Sequence, residues 1–370
     1  MRSITEILGG CQMVFGISYD IQEIFEGYVT DEHRTFIQML QVIEEFLPVY
    51  DRPGGCAGRK SYDGSAMVRS CLAKHFFRIP TVSSLRNRLL SDPSLRQICA
   101  FSRVPSEATF SRRYSFYAQQ KLMENTLGPL VSSYLQDHIV GHISRDSTAI
   151  EAREKATNTK KEVRPKGKRG RPKKGSEPKE TKQSVLEKQL DQTAGQAVSE
   201  LNALCSWGCK RNSQGNNNYW KGYKLHLDVT DSGIPVSAIV TGANVHDSQV
   251  AIPLERMTDE RITHLYSLMD SAYDAKPIKD FIARKGRVPI IDPNKRRKEQ
   301  RVLDPAEKQR FKTRSTVERS NAHLKDWLIP SKIMARGPDK IAHCLMTGVL
   351  CLAAIKILQY CILPKLQKTA

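Results

Sequence analysis

The chain has 370 residues, enough for two or three domains with a real core. Its 58 Lys and Arg against 39 Asp and Glu leave a formal charge of +19, with 39% hydrophobic residues. This is the balance of a soluble globular protein whose partner is a polyanion, nucleic acid ahead of an anionic membrane surface. The opening Met1 to Leu8 holds an acid and no sustained apolar run, so no secretory signal is read. Nine scattered cysteines, an odd number, favour free thiols over a disulfide framework.

Residues 1–135 read as helical. Phe36, Ile37, Leu40, Ile43, Phe46 and Leu47 recur at helical spacing and stop at Pro48. Further periodic sets follow: Met67 to Phe76, then Val82, Leu85 and Leu89, then Leu95, Ile98 and Cys99. The segment from Pro105 to Tyr114 opens another helix bearing Arg112 and Arg113. Short helices joined by tight turns suit a helix-turn-helix-like DNA reader, which makes this arginine pair a DNA-binding candidate. A purely structural helical cap is the plainer alternative.

From Ile139 the pattern turns to α/β. Ile143 to Thr148 reads as a strand carrying Asp146. Residues 151–220 form a polar insertion, and within it residues 153–182 hold thirteen basic and four acidic side chains, nearly half the net charge. That stretch has too little apolar surface to fold alone, although Val185, Leu186, Leu190 and Ala194 allow a helix after it. Within it Arg169-Gly170-Arg171-Pro172 resembles an AT-hook. The narrow, extended Gly-Arg-Pro core suits an A·T minor groove, and a flexible basic linker gripping phosphates is the alternative.

Tyr223 to Val229 and Ile234 to Val240 alternate around Asp231-Ser232-Gly233 as a hairpin. A helix over His246–Met257, a strand from His264 to Met269 ending at Asp270, a helix over Ala275–Lys285 and a strand from Val288 to Ile291 follow. The helix bearing Glu318 comes next. Ile341 to Leu363 is the most apolar stretch, but His343, Lys356 and Gln359 interrupt it, so a buried C-terminal helix is expected rather than a membrane span.

Asp146, Asp270 and Glu318 are lone carboxylates in a strongly basic chain. Acids in that setting make sense as holders of two Mg²⁺ or Mn²⁺ ions that clamp a phosphate. At about 100° per residue, Arg314, Lys325, Glu318 and Phe311 share a helix face about 60° wide, with Val317, Leu324 and Leu328 on a separate apolar stripe. The bland reading is a solvated Arg314–Glu318 pair at i,i+4 spacing. Other acids are weaker candidates: Glu307 lacks basic partners on its face, and Asp247 and Asp274 read as helix caps. The run from Lys295 to Lys298 with Arg301 is either a solvated loop or a DNA-backbone grip.

Arg314-x3-Glu318-x6-Lys325, with an aromatic three residues before the arginine, resembles the Tyr-Arg-Glu-Lys signature of bacterial insertion-sequence transposases. Gly222 to Asp228, Thr241 to Ser248 and Met269 to Asp274 are similar to that family too, and the likeness spans about residues 60–350. The signature tyrosine is Phe311 here, so a hydroxyl contact from that position is absent. The resemblance implies an α/β fold: a ribonuclease H-like core with a mixed five-stranded sheet, preceded by an all-α N-terminal domain. It places a helical, DNA-end-binding domain at 1–135, the core at 136–150 and 221–335, the basic insertion at 151–220 and an apolar helix at 336–370.

The resemblance also implies that Asp146, Asp270 and Glu318 hold two ions, with Arg314 and Lys325 contacting DNA. The expected activity is cleavage at transposon ends and joining of the 3′ hydroxyl to target DNA, by a homodimer on the DNA, in the bacterial cytoplasm at the nucleoid. A retired, non-catalytic DNA-binding descendant and a nuclease without strand transfer are the alternatives.

Overall fold

The computed structural model describes residues 27–48, 61–157, 183–211, 214–294 and 301–364. Arg169, Gly170, Arg171 and Pro172 lie outside them, as do Lys295 to Lys298. Among the described residues six helices precede the first strand: α1 Asp31–Glu44, α2 Gly64–Phe76, α3 Val82–Ser91, α4 Pro93–Ile98, α5 Glu107–Gln119 and α6 Leu122–Leu135. The turns between them follow from local chemistry. The first five helices begin at Thr30, Asp63, Thr81, Asp92 and Ser106, whose side chains each accept a first-turn amide.

The sheet begins with β1 (Ile139–Glu151), longer than the sequence pattern indicates. Two short helices, α7 (Val185–Gln189) and α8 (Ala194–Ser199), lead into β2 (Ser206–Arg211) and the long β3 (Asn217–Thr230). Then come β4 (Pro235–Gly242), α9 (Ser248–Asp259), β5 (Thr263–Met269), α10 (Lys276–Arg284) and β6 (Val288–Ile291). β3 lies antiparallel between β1 and β4, while β1, β5 and β6 run parallel. This is the strand order of a ribonuclease H-like α/β core.

One correction concerns strand number: six strands are present among the described residues rather than five. The sixth, β2, comes from the insertion and pairs with Asn217–Gly222, beyond the point where β1 ends.

The Glu318 region is not one continuous helix. It divides into α11 (Pro305–Phe311), a 3₁₀ turn at Lys312–Arg314, α12 (Ser315–His323) and a π turn at Leu324–Leu328. Both turns break the even 100° spacing that puts Phe311, Arg314, Glu318 and Lys325 on one face. The apolar stripe survives, with Val317, Leu324 and Leu328 buried.

The last long element is α13 (Pro338–Ile357). It is apolar all round, and it is the centre of the molecule rather than an appendage. Val349 and Leu350 share one continuous core with Leu40 of α1, Leu72 of α2, Leu130 of α6 and Leu227 of β3. By length and composition Pro338–Ile362 could cross a membrane, but 83% of its most apolar window is buried within the protein. The other sheet face packs a smaller cluster that includes Met269, Ile278 and Phe281.

Candidate active site

The parallel β1–β5 ladder pairs Ser144 with Leu268. The same register carried two positions further puts Asp146 abreast of Asp270, on strands about 4.8 Å apart. Strand alternation turns Ser144, Asp146 and Thr148 toward the helical face, and Arg145 and Ser147 toward the opposite one. On the helical face, Asn321 Nδ2 of α12 donates to Asp146 Oδ2 at 3.2 Å, and Arg314 Nη2 lies 3.6 Å from Oδ1. Arg314 Nη1 also donates to Glu318 Oε1 at 2.5 Å. One guanidinium thus bridges Asp146 and Glu318.

The two aspartates are uncomfortable as anions. Burial pushes Asp146 up to about 6; Arg314 and the Ser147 amide oppose this, and the charge of Asp270 adds to it. Asp270 is raised as well, by burial first, although it accepts the Ala272 amide at 3.0 Å. Lys325 lies close enough to feel Asp146, and its ammonium is lowered by burial and by neighbouring Lys210.

Four further residues lie around this site; the sequence weighs Asp247 only as a weaker candidate, and it gives no candidate role to Tyr273, Asn321 or Lys210. Asp247 does stand at the N-cap position of α9, but its side chain makes no capping bond and instead pairs with Lys224 at 2.9 Å. Burial works against its charge, but His226, Lys224 and a Ser147 hydrogen bond keep it below the usual carboxylate range. Tyr273 is buried, its hydroxyl has no hydrogen-bond partner among the described residues, and the charges acting on it include Asp247, Asp146 and Asp270. Asn321 donates to Asp146 while its own Oδ1 is buried with no hydrogen-bond partner among the described residues. Lys210, from the insertion strand β2, is near enough to act on both Asp146 and Asp270. Of these, Asp247 and Tyr273 sit in segments already singled out by pattern. Lys210 carried no signal, because its position depends on a long-range ladder.

The remaining candidates fall elsewhere. Arg112 is exposed on α5, and Arg113 lies 5.8 and 5.7 Å from the rings of Phe116 and Tyr117. Glu307 closes the capping box of α11 with Asp304 and pairs with Arg301. Asp274 does not cap α10, which starts after Ala275; it binds Lys279 at 2.6 Å.

Directly behind Asp146, buried Arg145 donates to Asp228 at 2.7 and 2.6 Å, to Glu255 at 2.7 Å and to the Ala251 carbonyl at 3.0 Å. Glu255 in turn accepts from Ser267 at 3.0 Å and lies 3.1 Å from His264. Burial works against its charge, yet Arg145 and His264 hold Glu255 down at about 2. Glu255, Asp259 and His264 lie close enough to hold a metal ion. However, Arg145 and Arg287 already neutralise their carboxylates, so a charge network accounts for them. It ties β1, β3, α9 and β5 together beneath the two aspartates.

Residues 142–353, which contain Asp146, Asp270 and Glu318, match the family described as the transposase DDE domain. The chain belongs to the DDE transposase family. Residues 21–115 of this transposase match a second model, described as a transposase domain, DUF772. No curated protein matches the chain. A piggyBac transposase in a synaptic complex with hairpin DNA, solved by cryo-EM, superposes at TM-score 0.41 with 8% identity, over 91% of this chain and 76% of that one. That likeness is too loose to bear on the site.

Proposed function

We propose that this transposase cuts DNA at the ends of an insertion sequence and joins the freed 3′ hydroxyl to target DNA, using Asp146, Asp270 and Glu318. The observation that carries this is the parallel register that sets Asp146 beside Asp270, with α12 bringing Glu318 over the same face. Two divalent ions suit the donors present. All are hard oxygens, burial raises the two aspartates despite nearby Arg314 and Lys210, and among the described residues Asn321 Oδ1 and the Tyr273 hydroxyl have no hydrogen-bond partner. Such a pair would be held by Asp146, Asp270 and Glu318, and supplies activation of the attacking oxygen and stabilisation of the leaving one.

The chain's own residues do the rest. Arg314 holds Asp146 and Glu318 together until DNA arrives, then turns its fork to phosphate oxygens with Lys325. Asn321 fixes the orientation of the Asp146 carboxylate. The proposed DNA contacts of Arg112, Arg113 and the Arg169–Pro172 segment lie outside this centre and serve binding.

Strand cleavage and joining on end DNA in Mg²⁺, wild type beside Asp270→Asn, tests the reading. The expected result is loss of both steps in the variant with DNA binding retained. Full cleavage by the variant sinks the triad. Cleavage without joining by the wild type identifies a nuclease, and binding without cleavage in either protein identifies a retired DNA-binding descendant.

A further inference from the structure

The β2–β3 ribbon departs from the core fold. The β1–β3 ladder ends at Glu151 opposite Gly222, and from there β3 continues with β2 alone, Ser206–Arg211 against Asn217–Gly222. Two glycines make the ribbon possible. A Cβ on Gly222 would sit 2.1 Å from the Ile150 carbonyl oxygen, so only glycine lets β3 cross this close to β1. A Cβ on Gly208 would meet the Trp220 indole at 2.4 Å, so that ring lies flat across the inner face.

Directly opposed residues of an antiparallel pair share a face, so Trp207, Lys221, Cys209 and Tyr219 lie together on the other side. That face is open: Trp207 is 59% exposed and Tyr219 66%. Among the described residues no ring stacks on either and no cation covers them. Trp327, by contrast, has the Arg78 guanidinium 3.4 Å over its ring. Lys210, on the same narrow ribbon, lies near Asp146, Asp270 and Lys325. The ribbon therefore returns to the carboxylates.

Two bare aromatic rings with a lysine between them, beside a phosphate-cutting centre, match the chemistry of an unpaired nucleic-acid strand. Bases in a duplex hide their faces, whereas unpaired bases stack on aromatic side chains with little regard to sequence. We propose that the outer face of the β2–β3 ribbon, Trp207 and Tyr219 with Lys221, binds the unpaired DNA strand that flanks the cut. This rests on the transposase reading, and it adds a surface for the separated flank. Lys210, on the inner face of the same ribbon, acts on the carboxylates, and the outer face takes the strand beyond them.

The test compares wild type with Trp207→Ala/Tyr219→Ala, a pair of exposed positions whose replacement leaves the core intact. The probes are a labelled duplex with a single-stranded 3′ overhang and the same duplex blunt. Stacking losses of roughly 1–3 kcal/mol per base predict about a 5- to 150-fold weaker hold on the overhang for one lost base and more when both rings are lost, with blunt-duplex affinity unchanged. Equal affinity of variant and wild type for the overhang overturns the proposal. So does an equal loss on both probes, or a change of oligomeric state with DNA binding intact, which would mark the face as a contact between copies. Cleavage by wild type and Asp146→Asn, run in parallel, separates the outcomes: a wild type that cannot cut fails the transposase reading, while a ribbon variant that holds the overhang fails this one alone.

Discussion

At the scale of the residue, the site is a set of anions held together by one cation. Arg314 sits between Asp146 and Glu318, and burial still raises Asp146 to about 6. Folding thus favours protonated Asp146, and at neutral pH the buried charge costs up to about 3 kcal/mol. Asp146→Asn should therefore raise the thermal midpoint in chelator, while Mg²⁺ raises that of the wild type and leaves the variant unmoved. A variant that gains as much from Mg²⁺ as wild type does would remove Asp146 from the ion site. Asp146, Asp270 and Glu318 were legible because each lies in a local motif. Asn321 and Lys210 were not, since their nearness to Asp146 comes from helix-on-sheet packing and from the insertion ladder.

At the scale of the element, the strands are pinned from behind. β1 reads as a six-residue strand in sequence because Gly141, His142 and Arg145 interrupt its apolar pattern, yet the strand runs from Ile139 to Glu151. Its polar positions are buried in partnership. Arg145 binds Asp228 of β3 and Glu255 of α9, and this takes the place of apolar packing. Arg145→Ala would strip the guanidinium from two buried carboxylates, leaving Asp228 with the Thr258 hydroxyl and Glu255 with Ser267 and His264, and should cost roughly 3–5 kcal/mol in urea denaturation. A loss under about 1 kcal/mol would mean the network is no anchor. The helix carrying Glu318 shows the opposite failure: periodicity gave its buried stripe, but the 3₁₀ and π turns are set by tertiary contacts and left no mark in the pattern.

At the scale of the whole molecule, buried histidines set the response to acid. Burial lowers His226 and His343 each to about 4, and takes His75 well below its usual value. A histidine depressed in the folded state binds fewer protons there than in the unfolded chain. Its stabilisation is complete above about pH 6.5 and is lost as pH falls toward 4, roughly 3 kcal/mol for each of the first two. Raised carboxylates such as Asp146 and Asp270 work in the opposite sense, while His75 and the lowered Glu255 and Asp247 add to the loss on the acid side. Denaturation midpoints should fall steeply between pH 6.5 and 4, and His343→Gln should flatten that slope; an unchanged slope would place the acid sensitivity elsewhere.

His343 also marks where the fold closes, on α13 between the N-terminal helices and the sheet. As the chain emerges from the ribosome, all six strands and all three acids appear before this helix does. Until Pro338 to Ile357 follow, the surfaces they will cover face water on both sides. A product cut short by a premature stop codon just upstream would keep the three proposed catalytic acids and lose the wall that holds them. The proposed chemistry thus waits on a helix made after all three acids, and a copy lacking it is expected to be silent rather than half-active.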